Sequence, residues 1–176
     1  MNPVRFLQRS AAGWLLLAAM LAPAAAQNTQ SLAARVQRLE DTEEIRTVLL
    51  NYGRYLDARD FAAYSRLFAK DGEWVGGFGT VKGPAAIQAF MEKNIPGPNK
   101  DHNYHLLTNF VIDVKGDTAT AWSRWTFVVP GPDKKPAMAQ GGRYEDTLVR
   151  EEGHWKFKRR EASNDLPAAG PAPEKK

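Results

Sequence analysis

Cysteine is absent from the sequence, and histidine nearly so, with only His102, His105 and His154. The first absence excludes disulfides, thiol catalysis and cysteine-bound zinc, so the chain must stand on its core alone. The second argues against a metal. No two histidines are four residues apart, the spacing that puts a zinc-binding pair on one helix face. Excess charge of one sign is missing too. Against 24 Lys and Arg stand 20 Asp and Glu, a formal charge of +4, and no basic stripe marks a nucleic-acid partner. The longest apolar run, Ala11 to Leu21, is shorter than the roughly 20 residues that span a bilayer.

That short run fits another purpose. Met1 to Arg9 carries two arginines and no acid, the run follows, and Ala22-Pro23-Ala24-Ala25-Ala26 supplies small residues before Gln27. This is the pattern of a cleavable secretory signal peptide over residues 1–26, cut after Ala26. It predicts a periplasmic or secreted protein with no membrane attachment afterwards. Losing Arg5 and Arg9 lowers the formal charge from +4 to +2. About 150 residues remain, the length of one domain, expected as a folded part over 27–163 and a disordered tail over 164–176, where the chain reads NDLPAAGPAPEKK.

Helical periodicity runs from Ser31 to Leu56. Leu32, Val36 and Leu39 repeat at helical spacing, and Ile45, Leu49, Tyr52 and Leu56 continue after a charged patch at Asp41 to Glu44. Asp41 or Thr42 could cap a second helix there, giving either one kinked helix or two. A further helix is expected over Phe61 to Ala69 with Asp60 as its N-cap, and another from Pro84 to about Lys93. Asp71-Gly72 reads as a turn, Glu73 to Val75 as a short strand, and Gly76, Gly77 and Gly79 as a bend or hairpin. Ile95 to Asn103 is a loop long enough to rim a pocket.

The rest is β: His105 to Val114, Thr118 to Val129, Ala137 to Arg150 and His154 to Glu161, joined by turn signals. Helices followed by a meander predict an α+β fold, with the helices on one face of an antiparallel sheet. In the strand Thr118 to Val129 one face carries Ala119, Ala121 and Ser123 and then Trp125 and Phe127. On a curved sheet this leaves room for a ligand; it also fits ordinary large-against-small packing.

Asp57 sits at the end of the first helix, where the macrodipole disfavours a negative charge by roughly 0.3–1 kcal/mol. On an ideal helix it lies about 120° from Ile45, off the apolar stripe, so periodicity does not place it inside. The position equally fits the opening of the turn before Asp60, with the carboxylate in water. His105, on a strand, is by itself unremarkable; His102, three residues earlier, could serve in its place, and His154 follows a turn glycine in solvent.

RLEDTEEIRTVLLNYGRYLDARDFAAYSRLFAKDGEW resembles the opening of SnoaL-like proteins, of the nuclear-transport-factor-two-like superfamily. HLLTNFVIDVKGDTATAWSRW and GGRYEDTLVREEGHWKFKRRE resemble that family's later strands. The resemblance spans about Leu39 to Glu161. It implies a cone: a curved antiparallel sheet wrapped around about three N-terminal helices, enclosing an apolar pocket, and a homodimer formed through the sheet. The dehydratase branch, which includes scytalone dehydratase and bile-acid dehydratase, is the most similar. Its enzymes pair an acid at the end of the first helix with a histidine on the sheet. The matching positions are Asp57 and His105, with Tyr52 five residues before the acid.

The chemistry suits that set. A histidine carries protons near neutral pH, a carboxylate fixes its tautomer, and a tyrosine hydroxyl polarises a substrate oxygen. No cofactor and no metal is needed. Further pocket candidates are Tyr55, Trp74, Asn109, Trp125, Met138, Tyr144 and Asp146; strand alternation groups His105 with Asn109, and Tyr144 with Asp146. Trp122, on the opposite face, is assigned to the dimer interface or the outside, and Arg160 to a structural ion pair. In the steroid isomerases of the superfamily the base is an acid on the strand after the second helix. The equivalent EWVGGFG has glycines there, which speaks against that chemistry.

The expected function is a cofactor-independent lyase or dehydratase acting on a small hydroxylated aromatic or polycyclic compound. The rival is a non-catalytic periplasmic protein binding a small apolar ligand.

Overall fold

The structure, a computed structural model, describes residues 22–131 and 133–166, with side chains described from Ser31 onward. The expected leader falls mostly on residues 1–21 and most of the expected tail on 167–176, both outside the described residues. The chain divides into two units, residues 1–39 and 40–176. In the first unit, Leu32, Val36 and Leu39 are exposed rather than part of a core. No helix of the described residues is long and apolar enough to cross a membrane.

The second unit is α+β. Its elements are the end of α1 (Ala22–Ala58), α2 (Phe61–Ser65), β1 (Phe68–Gly76), β2 (Gly79–Lys82), α3 (Pro84–Asn94), β3 (Tyr104–Lys115), β4 (Thr118–Pro130), β5 (Pro136–Glu151) and β6 (His154–Leu166). The six strands form one curved, unclosed sheet in the order β2-β1-β6-β5-β4-β3. All neighbours are antiparallel except β1 and β6, which run parallel, so the sheet is not the purely antiparallel one expected. The helix residues Ile45, Val48, Leu49, Tyr52 and Leu56 pack in one cluster with Trp74, Ala121, Trp125, Tyr144 and Phe157 of the sheet.

The charged patch at Asp41 does not break α1. Asp41 is buried and accepts hydrogen bonds from Arg150 at 2.6 Å and from the Trp155 indole at 3.3 Å, while Glu44 accepts from the Trp155 backbone N–H at 3.1 Å. The acids tie the helix to the β5–β6 hairpin, and α1 continues through them. Asp60 caps α2 as expected, accepting from the Ala63 N–H at 2.9 Å. That helix stops at Ser65, short of Ala69, because Phe68 and Ala69 are buried as the start of β1, where Phe68 pairs with Phe157. Asp71 and Gly72 lie inside β1, where its register to β6 shifts, rather than in a turn. Likewise β6 runs on to Leu166, past the expected end at Glu161, because Asn164 and Leu166 still pair with Gly142 and Gly141.

The curvature comes from irregularities in the ladders. Registers shift between Thr108 and Val111, between Phe127 and Val128, and between Gly141 and Gly142, and an extra residue in one strand bends it. Gly142 is required at its bend. A Cβ there would lie 2.0 Å from the Ser163 carbonyl oxygen and 2.8 Å from the Trp125 ring.

Candidate active site

On the concave side of the sheet the second unit holds a pocket of about 540 Å³, a volume typical of small-molecule sites. Its lining is largely aromatic. Tyr52 and Leu56 come from α1, Tyr64 from α2, Trp74 from β1, His105 from β3, Trp125 and Phe127 from β4, and Tyr144 from β5. The even spacing of Trp125 and Phe127 along β4, beyond the small Ala119, Ala121 and Ser123, places bulk at the pocket end of the strand, as alternation demands.

Asp57 and His105 meet on the wall of this pocket. The His105 ring Nδ1 is 2.6 Å from Asp57 Oδ1, and the His105 backbone N–H donates to Asp57 Oδ2 at 2.9 Å. Both carboxylate oxygens are therefore engaged by one residue, which fixes the imidazole in place and orientation. A carboxylate at that distance takes the proton on Nδ1 and leaves Nε2 as the free, accepting nitrogen. The ring packs 4.8 Å from Phe127 and 6.2 Å from Trp125, centroid to centroid. The loop Ile95–Asn103 secures the acid: Asn99 donates to the Asp57 carbonyl at 3.0 Å and to the Asn103 carbonyl at 2.6 Å, and accepts the Asn103 N–H at 3.0 Å. The carboxylate is held at the disfavoured helix end by His105. His102 is exposed and is not in the lining.

Three tyrosines also line the pocket. Tyr52 and Tyr64 are 4.7 Å apart and Tyr52 and Tyr144 5.3 Å, ring to ring. The Trp74 indole donates to the Tyr52 hydroxyl at 3.0 Å, which leaves the Tyr52 proton for another acceptor. The Tyr64 hydroxyl is electrostatically coupled to Tyr52 yet has no hydrogen-bond partner of acceptable geometry among the described residues. Behind them Arg160, fully buried, grips Asp146 with two bonds of 2.7 Å and lies 4.0 Å from the Tyr52 ring, 4.1 Å from Tyr144 and 4.3 Å from Phe157. Burial alone would lower the guanidinium's pKa; the Asp146 charge and hydrogen bonds outweigh it and raise it. Burial raises the Asp146 carboxyl in spite of Arg160. Among the described residues, no three His, Asp or Glu side chains are grouped to hold a metal.

Burial also lifts the hydroxyl pKa of Tyr52, and those of Tyr64 and Tyr144 further, above the ordinary 10.0. All three stay protonated and able to donate at neutral pH. The folded state thus holds these protons more tightly than the unfolded chain, so stability is lost as pH rises above about 10. Melting temperature measured from about pH 8 to about pH 11 is expected to fall across that window, and to fall less steeply in Tyr64→Phe. A pH-independent difference between the two proteins contradicts the assignment.

Some expected lining residues lie elsewhere. Asn109 is exposed, because it takes the left-handed backbone (φ 57°) at the β3 irregularity that reverses its side. Met138 is 58% exposed, since the shift after Phe127 puts Gln140, not Met138, into the pocket. Tyr55 packs half-buried beneath Arg54, and Asp146 lies behind the lining with Arg160. Trp122 is on the outer face, under Arg124. Tyr64, Arg59, Phe127, Gln140 and Asn164 line the pocket without having been singled out. For Asn164 a signal existed: Arg160, Ala162 and Asn164 keep the period of two beyond the expected strand end.

Similarity to known proteins agrees with this architecture. The SnoaL-like domain family matches residues 37–161. A nuclear-transport-factor-two-like protein with a cystatin-like fold from Novosphingobium aromaticivorans is 33% identical. The match covers 80% of this chain and 92% of that one, with a TM-score of 0.70. From the same organism, a candidate aromatic ring hydroxylase is 26% identical over 76% of this chain and 94% of its own (TM-score 0.62). A candidate scytalone dehydratase from it is 23% identical over 79% and 97% (TM-score 0.59) and shares the fold. No curated protein matches the sequence. With its sequence matched over most of its length and its curved sheet shared with these structures, the chain belongs to the SnoaL-like domain family.

Proposed function

We propose that this chain is a cofactor-independent lyase of the dehydratase type, acting on a small hydroxylated aromatic or polycyclic compound. The observation that carries it is the Asp57–His105 contact, 2.6 Å long, made by a histidine that lines the same aromatic pocket as Tyr52. In the proposed reaction the hydroxyl is on a saturated ring carbon, and His105 Nε2 takes a proton from the saturated carbon beside it, so that a carbon–carbon double bond forms as the C–O bond breaks. Asp57 holds Nδ1–H and stabilises the imidazolium that forms. The Tyr52 hydroxyl, itself receiving the Trp74 N–H, donates to the substrate oxygen on which negative charge develops. The imidazolium then returns its proton to the departing hydroxyl, and water leaves. The family's fold alone does not choose this chemistry; an imidazole in the pocket lining, held by a carboxylate outside it, supports it. Export to the periplasm with removal of residues 1–26, and a homodimer through the outer face of the sheet around Trp122, complete the proposal.

The test is a turnover screen, with the wild type and His105→Ala, of aromatic and polycyclic compounds that carry a hydroxyl on a saturated ring carbon. The variant is expected to fold, to bind, and to lose at least about a hundredfold in rate. Equal turnover by the two proteins rejects His105 as the proton carrier. Binding without turnover by either assigns the pocket to a binding protein.

A further inference from the structure

Among the residues lining the pocket, Arg59 is the one with a full charge, apart from whatever His105 carries; no carboxylate lines it. Arg59 stands just past the end of α1 with φ 61°, a left-handed backbone that costs a non-glycine residue energy and is usual for glycine or asparagine. Its side chain turns back onto its own helix, and Nη1 donates to the Leu56 carbonyl at 2.8 Å. The same carbonyl accepts the Arg59 backbone N–H at 3.1 Å, and the side-chain bond fixes the guanidinium in place. Among the described residues Arg59 makes no ion pair, and its Nε–H and Nη2–H edge has no acceptor. Two parallel N–H donors on a held guanidinium match the two oxygens of a carboxylate.

We infer that the ligand of this pocket carries a carboxylate, bound by the free edge of Arg59 while its hydroxylated ring lies among Trp74, Trp125 and the tyrosines. This deepens the proposed function, and rests on it only in naming the ring's hydroxyl as the reacting group. Arg59 acts on affinity and specificity; the proton chemistry belongs to His105. The neutral amides of Asn94, Gln140 and Asn164, also in the lining, leave the cation uncompensated, so an anionic ligand gains a contact that its neutral analogue lacks.

Calorimetric titration tests this with matched pairs of one-, two- and three-ring hydroxylated aromatics that differ only in a ring carboxylate, salicylate with phenol and 3-hydroxy-2-naphthoate with 2-naphthol among them. The titrations use the wild type, Arg59→Gln and Arg59→Lys, each in a His105→Ala background so that no turnover interferes. The carboxylated member of at least one pair is expected to bind the parent about ten- to a hundredfold more tightly than its partner. Arg59→Gln is expected to abolish that preference while leaving the neutral ligand's affinity unchanged, and Arg59→Lys to restore part of it. Absence of a carboxylate preference throughout the panel, or a preference that survives in Arg59→Gln, overturns the inference. If the preference is present but the wild-type His105 protein eliminates water from none of the compounds of the turnover screen, which carry the hydroxyl on a saturated ring carbon, Arg59's role stands and the lyase proposal is the one that fails.

Discussion

Asp57→Asn is expected to lower turnover by about 10⁴-fold, the scale on which a wrongly held imidazole tautomer acts, with little change in fold or ligand affinity. The reason lies in the two contacts the carboxylate makes. Oδ2 accepts the His105 backbone N–H and Oδ1 faces ring Nδ1. An asparagine keeps one acceptor, enough for the backbone bond, and then presents an N–H where the ring also has one. The imidazole escapes that clash by moving its proton to Nε2, the nitrogen that must be bare to abstract one. Asp57 is not itself in the lining, so KM should change far less than kcat. A loss confined to KM, or a rate within tenfold of wild type, contradicts the assigned role.

The largest effect on stability is expected at Arg160. Arg160→Met keeps much of the volume among Tyr52, Tyr144 and Phe157 but leaves the Asp146 carboxylate buried with no counter-charge. Breaking a buried pair from one side costs about 3–5 kcal/mol, a large part of the roughly 5–15 kcal/mol by which domains are stable. The loss has a defined pH dependence. Burial already raises the Asp146 carboxyl against the pull of Arg160, and without the arginine it rises further. The folded variant then binds a proton that the unfolded chain does not, so its stability recovers as pH falls toward the ordinary carboxylate range. The double replacement Arg160→Met with Asp146→Leu removes both charges and is expected to restore most of the loss. Urea denaturation of the three proteins at neutral and mildly acidic pH reads all of this. A single variant as stable as the parent contradicts the structural role of the pair.

Arg160 also marks how far the sequence alone could be read. Its assignment to an ion pair came from resemblance, and the partner, Asp146, was placed in the pocket because it shares a strand face with Tyr144. Alternation put both inward but could not say which reaches the cavity. The core face of α1 from Ile45 to Leu56 and the inward residues of β4 were legible because burial there follows the periods of helix and strand. Legibility failed where the backbone departs from those periods. Asn109 and Met138 each follow an irregularity that moves side chains to the other face, and no local residue announces such a shift unless it is a glycine. The start of β1 was read as the end of α2 because Phe68 and Ala69 suit either element; their pairing with β6 decides it, and that pairing links residues some ninety apart. Asp57 was the hardest: off the apolar stripe on an ideal helix, it enters the structure's chemistry only because His105, on a distant strand, closes on it.

That closure can be measured without knowing the substrate. Nitrogen NMR of the histidine rings, at an alkaline pH where imidazoles are neutral, distinguishes a protonated from a bare ring nitrogen. His105 is expected to be held as the Nδ1–H tautomer with Nε2 bare, and to move to the Nε2–H form in Asp57→Asn. His102, exposed and with no side-chain hydrogen bond or ion pair among the described residues, serves as the unconstrained reference. A wild-type His105 in the Nε2–H form, or one averaging between tautomers like His102, contradicts a carboxylate-held imidazole base in this pocket.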